Sequence, residues 1–81
     1  MSSFAAETHP QAQNIKYTDT TMAVELIDGR TITVPLVWYP RLSQATIDQL
    51  GNWELLGDGE GIHWPDLDED LSIACLLEGR H

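Results

Sequence analysis

The sequence predicts an α+β fold in which a small antiparallel sheet of two β-hairpins packs against two or three short helices. Three observations lead to this prediction: alternating apolar residues flank Asp28-Gly29, a glycine-rich segment joins two further apolar runs, and helix-start signals precede the remaining apolar residues. Its 81 residues suffice for one domain. We predict a flexible N-terminal tail over residues 1–14, which holds few large apolar side chains, and a single compact domain over residues 15–81.

The first hairpin is predicted from strict alternation of apolar residues on both sides of the turn, at Met22, Val24, Leu26, Ile32, Val34 and Leu36. A two-residue Asp28-Gly29 loop would send the two apolar sets to opposite faces of the sheet. A three-residue loop that includes Ile27 pairs Val24 with Ile32 and puts both sets on one face, with Gly29 left-handed at a G1 bulge. We predict the three-residue loop. Because Pro35 lacks an amide hydrogen, the second strand should lie at an edge or end there.

Two short helices are predicted between the hairpins. Pro40 suits the first turn of a helix, because its missing amide hydrogen has no partner there in any case. Thr46-Ile47-Asp48-Gln49 is a capping-box pattern, which marks the start of a second helix. Ile47 and Leu50, with Trp53 as a further candidate, are expected to form the buried stripe of that helix, and Gly51 to keep it short.

A second hairpin and a last helix are predicted in the C-terminal half. Trp53-Glu54-Leu55-Leu56 and Ile62-His63-Trp64 are the predicted strands. The segment Gly57-Asp58-Gly59-Glu60-Gly61 between them suits a loop that needs positive φ more than once. The last helix is expected within residues 70–78, closed by Gly79. Its inward side chains are expected to be Leu71, Ala74 and Leu77, with Ile73 as a further candidate.

The composition excludes several functional classes. Thirteen acids stand against four lysines and arginines, giving a net charge of −9, which disfavours binding to nucleic acid through its phosphates. No apolar run is long enough to span a membrane, and the start of the chain lacks the pattern of a signal peptide. The single cysteine, Cys75, cannot form an internal disulfide and is expected to be a buried, inert thiol. We expect a cytoplasmic protein.

The sequence contains no motif for nucleophilic catalysis or phosphate binding. Ser43 and Ser72 are interpreted as helix-start residues, and neither lies in a Gly-x-Ser-x-Gly pattern. The alternating glycines of residues 57–61 lack the following helix and the basic residue that a phosphate cradle needs. We therefore predict no cofactor and no catalytic residue.

Two metal-site interpretations are weak. Asp66-Leu67-Asp68-Glu69-Asp70 is similar to the start of a calcium-binding loop, but Leu71 stands where that loop requires glycine. His63 with Glu60 and Asp66 could hold a transition metal, although one histidine without a second ligand histidine is a weak signal. A small metal-dependent enzyme that uses His63 and neighbouring carboxylates is kept as the alternative function.

The charge is concentrated in the second half of the chain. Residues 51–81 hold eight acids and one arginine, whereas residues 1–50 hold five acids and three lysines and arginines. Such a surface either keeps a small domain soluble or docks a basic protein. Residues 38–41 form the aromatic segment most suspected of exposure, since Trp, Tyr and Arg dominate interfaces. The candidate partner-binding residues are Trp38, Tyr39, Arg41, Asp58, Glu60, His63, Asp66, Asp68, Glu69 and Asp70.

The order of these segments is similar to that of a known family. The matching segments are Val34-Pro35-Leu36, Trp38-Tyr39-Pro40-Arg41-Leu42, Ala45-Thr46, Asn52-Trp53 and Gly57-Asp58-Gly59-Glu60-Gly61-Ile62-His63-Trp64-Pro65-Asp66-Leu67-Asp68-Glu69-Asp70. They resemble the small bacterial family catalogued as domain of unknown function 2442, over about Ile15 to Gly79. The resemblance implies a compact α+β domain, sometimes fused to a helix-turn-helix and often encoded beside another small protein in toxin–antitoxin-like pairs. It implies no catalytic residues.

The leading hypothesis is a small acidic, non-enzymatic protein-interaction domain, in the manner of the antitoxin-like member of a pair. Its expected partner is a small basic protein, with no direct contact to nucleic acid and none to a membrane. This chain has no room for a fused helix-turn-helix, which argues against direct regulation of DNA. Self-association into a homo-oligomer, through exposed sheet edges or the Trp38 region, is compatible with this hypothesis.

Overall fold

Each predicted hairpin gains a third strand in the structure. The computed structural model describes residues 10–78 and confirms the α+β fold, with two antiparallel three-stranded sheets and three short helices. The elements in chain order are β1 (Ala12–Tyr17), β2 (Thr21–Leu26), β3 (Thr31–Pro35), a 3₁₀ turn (Leu36–Trp38), α1 (Pro40–Ser43), α2 (Ile47–Gly51), β4 (Glu54–Leu56), β5 (Gly61–Trp64), β6 (Glu69–Ser72) and α3 (Ile73–Leu77). The sheets have the strand orders β1-β2-β3 and β4-β5-β6.

The predicted register of the first hairpin is confirmed. Val24 pairs with Ile32, as the three-residue loop requires. The amide of Leu26 donates to the carbonyl of Arg30 at 2.8 Å, and Gly29 has φ of 98°. The alternation of β2 therefore buries every second residue on one face. β3 is an edge strand that ends at Pro35, also as predicted.

β1 begins at Ala12, three residues before the predicted start of the domain at Ile15. Its pairing with β2 shifts between Ala12 and Asn14, so Gln13 is an extra residue in a β-bulge. The bulge lets Ala12 and Ile15, three positions apart, both be buried, which breaks the alternation that identifies a strand in a sequence. Residues 1–9 of the predicted tail lie outside the described residues.

The two short helices begin where they were predicted. Pro40 is the first residue of α1. The capping box of α2 is complete, since the Gln49 amide donates to Thr46 Oγ1 at 3.1 Å and the Thr46 amide donates to Gln49 Oε1 at 3.0 Å. The prediction that Ile47 is buried is wrong, because Ile47 is 87% exposed at the rim of an open groove. Leu50 alone anchors this five-residue helix in the core.

The second hairpin is confirmed, but the segment after it differs from the prediction. Residues 69–72 form β6, which pairs with β5, where the start of the last helix was expected. α3 therefore starts at Ile73, with Ser72 accepting a hydrogen bond from the Cys75 amide as its N-cap. The later start turns the buried face to Ile73 and Leu76, and the predicted inward residues Ala74 and Leu77 are exposed. The predicted closing residue Gly79 lies outside the described residues.

Both sheets and all three helices contribute to one core. Its buried hydrophobic residues are Ala12, Ile15, Met22, Val24, Leu26, Val34, Leu36, Tyr39, Leu42, Leu50, Ile62, Trp64, Ile73 and Leu76. The inner face of β2 and the inner face of β5 supply its largest side chains, so each sheet covers the other. None of the helices within residues 10–78 is long and apolar enough to cross a membrane.

Candidate functional site

The glycine-rich loop between β4 and β5 is a structural junction. Three successive carbonyls of the loop, at positions 58, 59 and 60, accept hydrogen bonds from other elements. Their donors are the Gln11 side chain at 2.9 Å, the Ala12 amide at 2.7 Å and the Ile73 amide at 3.0 Å, respectively. Gly59 is buried with φ of 97°, and a Cβ there would lie 2.7 Å from the Ala12 carbonyl oxygen. The loop therefore fastens β1 and α3 to the second sheet.

Trp64 fastens the other end of the second sheet. Its side chain is fully buried, and its Nε1 donates to Tyr17 Oη at 3.1 Å and to the Leu50 carbonyl at 3.3 Å. The Tyr17 hydroxyl donates to the same carbonyl at 2.9 Å. Burial raises the pKa of Tyr17 above its ordinary value, an effect that the hydrogen bond from Trp64 opposes. The hydroxyl is therefore a structural donor that joins β1, α2 and β5.

The outer face of the second sheet carries a row of titratable side chains. His63 on β5 pairs in register with Glu54 on β4 and with Asp70 on β6, so the three side chains lie on one face. His63 Nδ1 is hydrogen bonded to Asp70 Oδ1. This bond is the largest cause of the raised pKa of His63; burial opposes it, and the charges of Asp70, Glu54 and Asp68 add to it. We call Glu54, His63, Asp68 and Asp70 the acidic face.

Arg41 holds the turn that joins β5 to β6. Its Nη1 donates to the carbonyls of Leu67 at 3.2 Å and Asp68 at 2.8 Å, and lies 3.9 Å from Glu69 Oε1. Asp68 has φ of 52°, a left-handed conformation that aspartate tolerates better than most residues. Arg41, a predicted partner-binding residue, thus already serves an internal role. Its guanidinium orients the turn that presents Asp68 on the acidic face.

The acids that are adjacent in sequence separate into two groups in the structure. Asp58 and Glu60 lie in the loop at one end of β5, and Asp66 and Asp68 lie in the turn at its other end. Asp66 also accepts a hydrogen bond from Asn52 Nδ2 at 3.0 Å. The proposed combination of Glu60 and Asp66 around one metal ion is therefore not formed. Within residues 10–78, no three His, Cys, Asp or Glu side chains are arranged to hold a metal.

Sequence reasoning missed Glu54 as a member of the site. The signal for it was present, because pairing Leu55 with Ile62 on the apolar face of the hairpin brings Glu54 opposite His63. Asp70 could not be placed in the same way, since its segment was assigned to a helix. The acidic face therefore depends on β6, which the sequence did not reveal.

The prediction that residues 38–41 are exposed as a unit is wrong for Tyr39. Tyr39 is 5% exposed, because it lies between the 3₁₀ turn and α1, whose residues Leu36 and Leu42 are buried beside it in the core. Burial raises the pKa of its hydroxyl. Trp38 remains 36% exposed, so only part of this segment is accessible to a partner. Cys75, expected to be buried, is a half-buried free thiol.

The cations of the described residues are all engaged near the first sheet or the turn. Lys16 lies 3.2 Å from Glu25, Arg30 lies 2.8 Å from Asp28, and Arg41 holds the turn. The second sheet and its connections, residues 54–72, contain seven acids and neither lysine nor arginine. Among residues 10–78, its negative charge is therefore offset only by Arg41 from α1 and by His63 when that side chain is protonated.

The sequence and fold are similar to those of uncharacterised proteins. A family model described as "Protein of unknown function (DUF2442)" matches residues 12–81. A crystal structure of a protein of unknown function from Rhodospirillum rubrum is similar with a TM-score of 0.76 and 36% identity, over 90% of each chain. A solution NMR structure of an uncharacterised protein from Chromobacterium violaceum is similar with a TM-score of 0.73 and 26% identity, over 86% of this chain and 66% of the other. No curated protein matches the chain.

Proposed function

The chain belongs to the DUF2442 family, and we propose that it is a non-enzymatic interaction domain whose acidic face binds a basic protein partner. The observation that carries this proposal is the unbalanced charge of the second sheet, where seven acids lie within residues 54–72 without a lysine or arginine. Such charge costs stability through self-repulsion, and a basic partner would relieve that repulsion on binding. A role as the acidic, antitoxin-like member of a two-protein pair fits this chemistry.

The arrangement of the acidic face supports binding rather than catalysis. Asp70 is 66% exposed while it is bonded to His63, so its second oxygen remains open to a cation. The hydrogen bond to Asp70 and the neighbouring charges raise the pKa of His63, and this bond engages the imidazole in holding Asp70 in place. A field of exposed carboxylates on a rigid sheet accelerates association with a basic protein and weakens with salt.

The test begins with capture of partners from the source cell by the full chain, followed by kinetics with the purified partner. Neutralising the acidic face with Glu54→Gln and Asp68→Asn should slow association about tenfold at low salt. The matched control, Asp19→Asn with Asp48→Asn, removes the same charge from exposed positions outside the second sheet and should slow it much less. Equal slowing by both pairs, or capture of no basic protein, would contradict the proposal.

The alternative of a small metal-dependent enzyme stays a prediction, and a simple measurement tests it. A metal ion held by His63 and neighbouring carboxylates would stabilise the folded state in proportion to its affinity. We expect no shift of the melting temperature on addition of Zn²⁺, Mn²⁺ or Ca²⁺. A saturable increase that His63→Gln abolishes would favour the metal site over the interaction domain.

A further inference from the structure

We infer that the open edge of β6 binds an extended basic segment of the partner as an added strand. This inference rests on the proposed function and specifies how the partner is held. The acidic face would attract the partner, and the edge of β6 would fix its register through backbone hydrogen bonds. Strand addition of this kind takes its affinity from the main chain and its specificity from the side chains that alternate along the added strand.

A groove of about 420 Å³ runs along this edge. It is lined by Glu69, Asp70, Leu71 and Ser72 on one side and by Tyr39, Cys75 and Leu76 on the other. Successive side chains of a strand point to opposite faces, so a groove on one face would touch only alternate residues. Because this groove touches four consecutive residues of β6, it follows the edge of the strand rather than a face.

The edge is available for pairing. β6 is the last strand in the order β4-β5-β6, and in the part of the chain that the structure describes its backbone pairs only with β5. An unpaired strand edge presents a row of amide and carbonyl groups that another strand can satisfy. With four residues, β6 is about 13 Å long and can pair with a segment of similar length.

The side chains around the groove select a cationic occupant. Leu71, Tyr39 and Leu76 line the groove with apolar atoms, and Glu69, on the same face of β6 as Leu71, places a carboxylate beside them. A lysine or arginine side chain combines an aliphatic stem with a charged head and so matches both features. A second copy of the chain, paired through the same edge, would bring another sheet with seven acids and no lysine or arginine beside this one. Charge therefore favours a basic segment over a homodimer.

The probe is an extended peptide that alternates arginine with valine, mixed with the full ¹⁵N-labelled chain. The expected result is a set of amide shift changes concentrated at residues 69–72, Tyr39 and Cys75. N-methylation of alternate amides along one edge of the peptide should weaken binding at least tenfold, while N-methylation along its other edge should not, because an added strand uses one edge only. Shift changes centred on Glu54 and His63, or equal effects of the two N-methylated peptides, would overturn the inference.

Charge variants of the protein provide a second readout. Glu69→Gln should weaken binding of the arginine peptide several-fold, whereas Glu60→Gln, which removes the same charge from the loop at the other end of the sheet, should not. Equal weakening by both variants would overturn the inference. Suppose that neutralising the acidic face slows association with the natural partner, but the peptide causes no shift changes in β6. In that case the proposed function stands and the inference of strand addition fails. Self-association that the peptide does not displace would assign the edge to a second copy and would also overturn it.

Discussion

The two sheets share one topology but differ in length and charge. The strands of the first sheet have five or six residues, and its two cations pair with Glu25 and Asp28. The strands of the second sheet have three or four residues, and the sheet with its connections carries seven acids and no lysine or arginine. In the first sheet, longer strands and ion pairs therefore both stabilise the fold. The second retains a charge excess that stability alone does not explain.

The difference in charge does not make the second sheet an independent unit. The loop at one end of β5 binds the start of β1 through the Gly59 carbonyl, and Trp64 at the other end binds Tyr17 and the Leu50 carbonyl. Both attachments lie at the ends of the sheet, and within residues 10–78 neither of them covers its outer face. A short, charged sheet is therefore held rigid by its neighbour, which is the arrangement that an exposed binding surface needs.

The largest expected effect comes from breaking the attachment at Trp64. Trp64→Ala should reduce the free energy of unfolding by about 3–5 kcal/mol, because it removes the largest fully buried side chain and leaves a cavity between the sheets. Urea unfolding monitored by far-UV circular dichroism measures it. Trp38→Ala, at a position that is 36% exposed, should cost markedly less. Equal losses in the two variants would show that the core does not depend on Trp64.

The second prediction compares one glycine from each sheet. Gly29 and Gly59 have nearly equal φ values, 98° and 97°, but a Cβ at Gly29 meets nothing within 4 Å, whereas at Gly59 it lies 2.7 Å from the Ala12 carbonyl oxygen. Gly29→Ala should therefore cost only the backbone strain, about 1–2 kcal/mol. Gly59→Ala adds a backbone collision and should cost roughly twice as much, about 2–4 kcal/mol. Equal losses of the free energy of unfolding, measured with urea, would show that the close approach of Gly59 to Ala12 does not contribute to the difference.

The parts of the fold that could be predicted from sequence are those set by local patterns. The register of β2 with β3 follows from parity, because only the three-residue loop puts Val24 and Ile32 on one face. The capping box at Thr46 is local and therefore readable. β1 was missed because the bulge at Gln13 breaks its alternation. The start of β1 also depends on a distant contact, since the Ala12 amide donates to the Gly59 carbonyl.

Prediction of the candidate site failed for a similar reason. β6 contains the acids Glu69 and Asp70 and a single large apolar residue, Leu71, so its pattern does not identify a strand. It forms because the second edge of β5 offers backbone partners. Unless β6 is recognised as a strand, the sequence gives the number of acids near His63 but not their positions relative to it. Tyr39 was also misplaced, since aromatic residues are enriched both in interfaces and in cores and sequence alone does not separate the two.

A third prediction concerns the sign of the effect of removing an acid. Glu25→Gln in the first sheet loses the ion pair with Lys16 and should lower the free energy of unfolding by up to about 0.5 kcal/mol. Glu60→Gln in the second sheet removes an exposed charge from a segment with seven acids and no lysine or arginine, and it should raise the free energy of unfolding by a few tenths of a kcal/mol. Urea midpoints at low salt measure both effects. Because salt screens the charges, ~1 M NaCl should reduce the difference in stability between the two variants. The same sign for both would contradict the charge comparison.

The smallest effect is expected from the proton on His63. Because the hydrogen bond to Asp70 raises the pKa of His63, the protonated side chain favours the folded state. This contribution is complete below the ordinary pKa near 6.5 and is lost as the pH rises through the raised pKa of the folded protein. The melting temperature of the wild type should therefore fall more between pH 6 and pH 8 than that of His63→Gln.

The titration of His63 itself resolves which carboxylate matters. NMR of its imidazole should show the pKa falling more on Asp70→Asn than on Glu54→Gln, because Asp70 contributes a hydrogen bond and a charge whereas Glu54 contributes a charge alone. Variants of the first sheet, such as Asp28→Asn, should leave this pKa unchanged, since Asp28 is paired with Arg30. An imidazole that titrates at or below 6.5 in the wild type would show that the acids of the second sheet do not act together on His63. In that case the comparison between the two sheets would be one of composition and not of electrostatics.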